Sequence, residues 1–190
     1  MSDKDTRLLT EIYGEKVLPI TFGIIDRHDE LIKDKTYNVC FIAAGHEEEG
    51  IRCKIFKQLS KVGSCYMSDV ERKRDWLDYI DYANILKTSL IGVSARGVGY
   101  DTYRYYEIVY FGAMLYSEEP TIEIPDGFID GKHCVYFKKD LSDFKDKLYY
   151  YFRNIEEAKK IAKAGREYLM KKHTSLNRAS YVLDCIGRLK

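Results

Sequence analysis

The chain has 190 residues, 45% of them hydrophobic and 32% charged, a mixture typical of one globular domain with a proper core. The 31 Lys and Arg residues nearly balance the 30 Asp and Glu residues, so the formal net charge of +1 gives no basic footprint for nucleic acid or an anionic membrane. The five cysteines lack metal-binding spacing, the first residues lack the apolar core of a signal peptide, and no run approaches the roughly 20 apolar residues that span a bilayer. The sequence therefore predicts a cytoplasmic protein with reduced thiols and no transmembrane segment.

Residues 1–34 are predicted to form a lead-in helix and loop, followed by one domain over residues 35–190. The apolar residues near the start recur at helical spacing up to Gly14, and residues 19–34 show no period. The continuous apolar run 37–45 is typical of a strand buried on both faces. A helical pattern over residues 51–59 then completes the first strand–helix unit.

A second strand–helix unit is predicted from residue 62 onwards. Residues 62–67 form the strand, and we expect Ser68 or Asp69 to cap the helix that follows. The apolar residues of that helix continue to Leu86, and the helix ends at residues 88–89.

The central stretch, residues 90–125, is predicted to hold a strand, a glycine-rich turn, a helix and another strand. The apolar run from Leu90 leads into a turn with two glycines at residues 96–99. Asp101 or Thr102 is suited to cap the helix, and Gly112 to close it.

The remaining sequence predicts a short buried strand at residues 133–137 and three helices. Asp140 or Ser142 is expected to cap the first, which runs through residue 152. Asn154 is expected to cap the second, which continues to residue 172. Thr174 or Ser175 would start the last, which ends near residue 189.

Strands that alternate with helices predict an α/β fold: a single Rossmann-like domain, with a mostly parallel sheet of about five strands covered by helices on both faces. Ligands of such sheets bind at the carboxyl ends of the strands. Here those ends are residues 45–50, 94–101 and 117–124. A strand that feeds a glycine turn and a helix N-terminus suits phosphates or sugar hydroxyls.

Several residues of this region have two interpretations. Arg104 and Glu107 share a helix face and would form either an ion pair or, through Glu107, a hydrogen-bond acceptor for a ribose diol. The 17 tyrosines provide either a stacking surface or cover for half-buried helices. No G-x-G-x-x-G follows the first strand, and three glutamates at residues 47–49 would repel a pyrophosphate, which disfavours a dehydrogenase.

Residues 104–115, which read R-Y-Y-E-I-V-Y-F-G-A-M-L, resemble the R-x-x-E-A-x-x-x-G signature in the donor-binding core of GT-B glycosyltransferases. The closest resemblance is to the "glycosyl transferases group 1" type, including CgeB-like and exostosin-like enzymes. Further similarity lies in residues 39–45 with Arg52 and Leu59, in the strand at 130–137, and in the helices at 164–179. The resemblance covers about residues 17–187, the C-terminal half of a GT-B enzyme.

This resemblance implies a metal-independent glycosyltransferase whose donor substrate is a nucleoside-diphosphate sugar, with no cofactor. Glu107 would bind the ribose, and Arg104 would have a catalytic role in stabilising the charge that grows on the leaving diphosphate. The other donor-binding residues would be His46, Arg52, Arg96, Gly97, Gly99, Asp101, Thr102 and Tyr103. For four of these a structural interpretation stays open: a solvated loop residue for His46, a surface helix residue for Arg52, and helix cap or cover for Asp101 and Tyr103.

Two departures from the family pattern bear on function. Gly99 stands where many GT-B enzymes carry a second glutamate that contacts the donor sugar. The chain also resembles only one of the two GT-B halves, so an acceptor-binding domain or subunit is an expected partner beside the nucleotide-sugar. The alternative is a non-catalytic nucleotide-sugar-binding or protein-interaction module with the same half-fold.

Overall fold

The computed structural model of the chain describes residues 19–43, 50–69, 77–97 and 99–188. Its strands are β1 (Tyr37–Ala43), β2 (Cys65–Asp69), β3 (Ser89–Ser94), β4 (Met114–Glu118) and β5 (Val135–Phe137). Its helices are α1 (Ile51–Leu59), α2 (Tyr79–Thr88), α3 (Tyr103–Tyr110), α4 (Phe144–Arg153), α5 (Ile155–Lys172) and α6 (Ser175–Arg188). All strand pairs are parallel, which confirms the predicted α/β domain.

The strand order is β2-β1-β3-β4-β5, so the direction of the chain across the sheet reverses between β1 and β3. From β1 the chain moves outward to β2 and then crosses back to β3 on the other side of β1. The loops that leave β1 and β3 therefore diverge and open a crevice at the carboxyl edge. Such a switch point is where open parallel sheets bind ligands.

Helices cover both faces of the sheet, as the double-sided burial of the strands requires. Alternate residues of β1 point to opposite faces. Val39 and Phe41 belong to a core with α1, α4 and part of α5, whereas Cys40 and Ile42 belong to a core with α2 and α3. Each fully buried Leu, Ile or Phe in these cores stabilises the fold by roughly 1.5–3 kcal/mol. None of the described helices combines the length and apolar character needed to cross a bilayer.

The cap predicted for α2 is wrong. Ser68 and Asp69 belong to β2, where they pair with Ile42 and Ala43 of β1 and so extend the parallel ladder. In the described part of the chain, α2 begins at Tyr79, and the Asp78 carboxylate caps it by accepting a hydrogen bond from the Asp81 amide at 2.8 Å. The main-chain hydrogen bonds of the ladder outweigh the local capping preference of Ser68 and Asp69.

The cap predicted for α4 is also displaced. The N-cap position is Asp143, and the Asp140 carboxylate instead accepts the Ser142 amide at 2.9 Å, which closes a turn before the helix. Asn154 occupies the predicted N-cap of α5. Its side-chain amide donates to the Tyr150 carbonyl at 2.8 Å, so it serves the end of α4 rather than the start of α5.

The last helix starts where the sequence predicts. The Thr174 hydroxyl accepts a hydrogen bond from the Asn177 amide at 3.2 Å, and the Asn177 side chain accepts one from the Thr174 amide at 3.1 Å. This reciprocal pair satisfies amide groups that the first turn of α6 leaves without intrahelical partners.

Gly112 closes α3 as predicted. Its φ is +80°, its amide donates to the Val109 carbonyl, and the Ala113 amide donates to the Ile108 carbonyl, both at 3.1 Å. This pair of bonds is the Schellman motif, which requires a left-handed residue and so favours glycine. A Cβ at this position would also lie 2.9 Å from the Leu31 side chain.

Residues 19–34 pack against α3 and α6. The Ile24 amide donates to the His173 carbonyl at 2.9 Å, the Ser175 amide donates to the Ile24 carbonyl at 2.8 Å, and the Arg27 amide donates to the Tyr110 hydroxyl at 2.9 Å. The predicted helix near the N-terminus lies outside the described residues. The division of the chain at residue 34 stays a prediction.

Candidate functional site

The candidate site lies at the carboxyl edge of the sheet, where β3 ends and residues 95–102 lead into α3. The Gly97 amide donates to the Gly99 carbonyl at 3.1 Å. A Cβ at Gly99 would meet no atom of the described residues within 4 Å, so packing against these residues does not require glycine at position 99. His46 lies outside the described residues, and its donor contact stays a prediction.

Arg52, from the first turn of α1, reaches the glycine turn. Its Nε donates to the Arg96 carbonyl at 3.1 Å, and one of its terminal nitrogens lies 2.5 Å from where a Cβ of Gly97 would be. Gly97 thus permits a close approach that a side chain would block. Burial lowers the pKa of Arg52, and the neighbouring positive charge of Arg104 lowers it further. Arg52 is therefore partly buried beside the glycine turn, and its donor contact stays a prediction.

Glu107 is held by a tyrosine that is not among the predicted site residues. The Tyr82 hydroxyl, on α2, donates to the Glu107 carboxylate at 2.7 Å. Burial raises the pKa of Tyr82, and the charge of Glu107 adds to this effect, so Tyr82 stays a neutral donor. The relevant signal was its irregular place in the helical pattern, since Tyr82 does not follow the spacing of the buried residues Ala83 and Leu86.

Arg104 and Glu107 share one side of α3 without bonding to each other. Among the ion pairs of the described residues, none joins these two side chains. The Arg104 Nε is buried and has no hydrogen-bond partner in this part of the chain. A buried donor without an acceptor costs about 1–3 kcal/mol, more if it is charged, so an acceptor at this nitrogen would be stabilising. The catalytic role of Arg104 stays a prediction.

Arg96 pairs with a carboxylate that the sequence analysis missed. Glu118, at the end of β4, is only 1% exposed and forms an ion pair with the Arg96 guanidinium. The Glu118 Oε2 atom accepts a hydrogen bond from the Arg96 amide at 3.4 Å. The Glu118 Oε1 atom, which contacts the guanidinium, also accepts one from the Tyr100 hydroxyl at 3.3 Å. The available signal was a carboxylate at the end of an otherwise apolar strand, at a predicted ligand-facing edge. Much of the charge of Arg96 is therefore neutralised within the protein.

Asp101 and Tyr103 contact the lead-in segment. One carboxylate oxygen of Asp101 accepts a hydrogen bond from the Phe22 amide at 3.0 Å, and the other accepts one from the Tyr106 hydroxyl at 3.1 Å. The Tyr103 ring stacks on Phe22 with centroids 4.1 Å apart. Thr102 occupies the N-cap position but makes no capping hydrogen bond, and its buried hydroxyl has no partner among the described residues. Donor contacts by these three residues stay predictions.

This arrangement suits recognition of an anion with hydroxyl groups. It combines a glycine turn, two neighbouring arginines and an oriented carboxylate at the switch point of a parallel sheet. Guanidinium groups bind phosphates through paired hydrogen bonds, and a carboxylate accepts from a diol. In the described part of the chain, no three His, Cys, Asp or Glu side chains are grouped closely enough to hold a metal ion.

Solved structures with similar folds include glycosyltransferases. The structure is similar to a TarM variant from S. aureus solved with fondaparinux, α-GlcNAc-glycerol and UDP (TM-score 0.61, 11% identity, covering 97% of this chain and 42% of that chain). It is also similar to a chain of the GtfA/B complex (TM-score 0.59, 14% identity, covering 98% and 44%). A third is the pneumococcal O-GlcNAc transferase GtfA, solved with UDP and GlcNAc (TM-score 0.57, 10% identity, covering 99% and 44%). The chain thus spans less than half the length of these proteins.

The fold and the site together define a GT-B glycosyltransferase domain, as the sequence motif predicted. A family model described as glycosyl transferase-like matches residues 40–184, about three quarters of the chain. The chain belongs to this glycosyl transferase-like family. No curated protein sequence matches it significantly.

Proposed function

We propose that the chain is the donor-binding domain of a glycosyltransferase that transfers a sugar from a nucleoside-diphosphate sugar to an acceptor. The observation that carries this proposal is the Tyr82–Glu107 hydrogen bond of 2.7 Å, on the helix that follows the glycine turn. It fixes a carboxylate at the place where the family signature expects the ribose contact. The UDP bound in the related TarM and GtfA structures supports a nucleotide-sugar as the donor class.

Glu107 is the proposed ribose ligand. An ionised carboxylate offers about four acceptor positions, and Tyr82 uses one of them. The remaining positions can accept both hydroxyls of a ribose diol. Tyr82 acts as a positioning residue because its hydrogen bond restricts the Glu107 rotamer before the donor arrives.

Arg104 and Arg52 are the proposed diphosphate ligands. The charge of Arg104 lowers the pKa of Arg52, and a bound anion would offset this effect. Arg104 then stabilises the negative charge that develops on the leaving nucleoside diphosphate, and no metal ion is needed for this role. His46, Arg96, Gly97, Gly99, Asp101, Thr102 and Tyr103 complete the proposed donor site.

An acceptor-binding domain or subunit is the proposed partner. The chain covers 42–44% of the related TarM and GtfA chains, and the GtfA/B structure is a complex. A second candidate function is a non-catalytic nucleotide-sugar-binding or interaction module. The observation that favours it is Gly99, which stands where the family signature carries a glutamate.

The experiment is titration calorimetry of the full chain with UDP-, GDP- and dTDP-sugars. A charge-assisted hydrogen bond is worth about 1.5–3 kcal/mol. Glu107→Gln and Arg104→Gln should therefore each lower the affinity for the tightest-binding donor by about ten- to a hundredfold. Tyr82→Phe should produce a smaller loss. Glu156→Gln, an exposed carboxylate at the start of α5, is the matched control and should leave donor affinity unchanged.

Two outcomes contradict the proposal. Absence of binding by every nucleotide-sugar rules out a donor domain, and full affinity in a folded Glu107→Gln variant rules out this placement of the ribose. Catalysis is measured separately as donor hydrolysis or transfer. Turnover that Arg104→Gln abolishes supports the enzyme, whereas tight binding without turnover by the chain, alone or with its partner, supports the second candidate.

A further inference from the structure

A cavity lies at the edge of the sheet opposite the candidate donor site. Its volume is about 540 Å³, and its lining includes Leu90 at the start of β3, Gly112 just before β4, and Lys35 just before β1. In a parallel sheet all of these positions lie at the amino edge. The length of the strands therefore separates this cavity from the glycine turn and Arg104.

Positive side chains surround this cavity. It is lined by five cationic residues and one carboxylate, Glu167; the cations are Lys33, Lys35, Lys159, Lys163 and Arg166. The whole chain carries a formal charge of only +1, so this is a local concentration of positive charge. Clefts lined by one sign of charge raise the local concentration of oppositely charged ligands.

Lys35 is the half-buried cation of this cavity. Its ammonium donates to the Lys87 carbonyl at 2.7 Å and to the Gly112 carbonyl at 3.2 Å, at the ends of α2 and α3. Two of its three N–H groups are thereby used, and one remains. Burial lowers the pKa of Lys35, and the nearby charge of Lys159 lowers it further. Among the ion pairs of the described residues, none contains Lys35.

The ion pairs of Lys159 and Lys163 are exposed and therefore weak. Lys163 lies 4.0 Å from Glu167, and its side chain is 80% exposed, so this pair contributes little. Lys159 pairs with the exposed Glu156 at 2.9 Å, outside the cavity lining. The Arg166 Nε donates a hydrogen bond to the Tyr110 carbonyl at 2.9 Å. This bond orients the guanidinium, whose terminal nitrogens carry further N–H donors.

The same cavity has an apolar part. Leu90 and Ala162 line it, together with Leu31 and Ile32 of the lead-in segment, which are 46% and 37% exposed. A volume of this size falls in the range of about 300–1,000 Å³ that is typical of small-molecule sites and exceeds what an inorganic ion needs. The fitting ligand therefore carries both negative charge and apolar surface.

We propose that this cavity binds an organic phosphate whose phosphate contacts Lys35 and the lysines of α5, and whose apolar portion contacts Leu31 and Leu90. The same chemistry occurs in soluble metabolites and in phosphate-bearing lipid headgroups. This site is independent of the donor site, and the proposal does not depend on glycosyl transfer.

The probe is octyl phosphate below its micelle concentration, titrated calorimetrically into the full chain. Lys35→Met should weaken its binding about tenfold or more, since it removes a charge-assisted hydrogen bond. Because Lys35 also bonds two carbonyls, the double variant Lys159→Gln/Lys163→Gln tests exposed residues and should weaken binding at least about threefold, more so at low salt. Lys139→Gln, beyond β5 at the other edge, is the charge-matched control and should bind normally.

Three further arms sort the outcomes. Inorganic phosphate should bind more weakly than octyl phosphate, and UDP should not compete. Flotation compares phosphatidic acid vesicles with phosphatidylcholine vesicles. If only the phosphatidic acid vesicles bind the chain, the ligand is a membrane headgroup. If neither kind of vesicle binds it, the ligand is a soluble phosphate. The proposal is overturned if neither octyl phosphate nor phosphatidic acid binds, if binding is unchanged in both lysine variants, or if UDP displaces the probe.

Discussion

The buried His173 makes the stability of the domain depend on pH, and its substitution tests the packing of α5, α6 and the lead-in segment together. The side chain is 0% exposed, at the turn between α5 and α6, and its Nδ1 accepts a hydrogen bond from the Arg178 guanidinium. Burial, and then the charge of Arg178, lower the pKa of His173 to about 4. The imidazole is therefore neutral in the folded protein under ordinary conditions.

The sign and size of the effect follow from this shift. In the unfolded chain the histidine titrates near 6.5, so between pH 6.5 and 4 the unfolded state binds the proton and the folded state does not. The free energy of unfolding must then fall as the pH falls. This histidine alone should remove about 2 kcal/mol between pH 7 and pH 5, and about 3 kcal/mol by pH 4. Either loss is a large fraction of the 5–15 kcal/mol typical of a domain.

The assay is urea unfolding followed by circular dichroism at several pH values for wild type, His173→Gln and His28→Asn. His173→Gln should be less stable at pH 7 but should lose about 2 kcal/mol less than wild type between pH 7 and pH 5. His28→Asn is the control, because that side chain is 91% exposed. Parallel pH profiles for wild type and His173→Gln, with unchanged dependence on urea, would refute a buried neutral imidazole.

Two further changes test local features of the fold by urea unfolding at neutral pH. Gly112→Ala should cost about 1–2 kcal/mol, because it forces a left-handed backbone on alanine and brings a methyl group 2.9 Å from Leu31. Gly63→Ala is the control: no atom of the described residues lies within 4 Å of the new Cβ, so stability should change by less than about 0.5 kcal/mol. Equal losses in the two variants would contradict this explanation. Tyr116→Phe should cost about 1 kcal/mol, since it removes the buried hydrogen bond of 2.7 Å to the Phe144 carbonyl, and no loss would mean that this bond adds nothing to stability.

The sequence predicts the sheet well because its strands are buried on both faces. The continuous apolar runs of β1 and β3 leave few alternatives to strands in a parallel sheet, and the helical spacing between them indicates crossovers. Capping is predicted less well because it depends on the start of the neighbouring element. Ser68 and Asp69 are good caps locally, yet pairing with β1 keeps them in β2. Gly112 is predicted correctly because its requirement for a positive φ is itself local.

The site is predictable in its location but not in its pairings. The glycine turn and the helix signature identify the edge of the sheet and place Arg104 and Glu107 on α3. The partners of Glu107 and Arg96 come from α2 and β4, which are distant in sequence. No local pattern therefore shows that Tyr82 bonds Glu107 or that Glu118 neutralises Arg96. Such contacts follow from the strand order, which brings β4 and the loop after β3 to one edge.

The pair between Arg96 and Glu118 distinguishes Arg96 from Arg104. The charge of Arg96 is matched by the buried Glu118, so this pair holds the glycine turn to the end of β4. The charge of Arg104 lowers the pKa of the partly buried Arg52, and the Glu107 carboxylate accepts a hydrogen bond from Tyr82. An anion bound near Arg104 would reduce this unfavourable interaction between like charges. A diphosphate bound at the proposed donor site should therefore stabilise the domain.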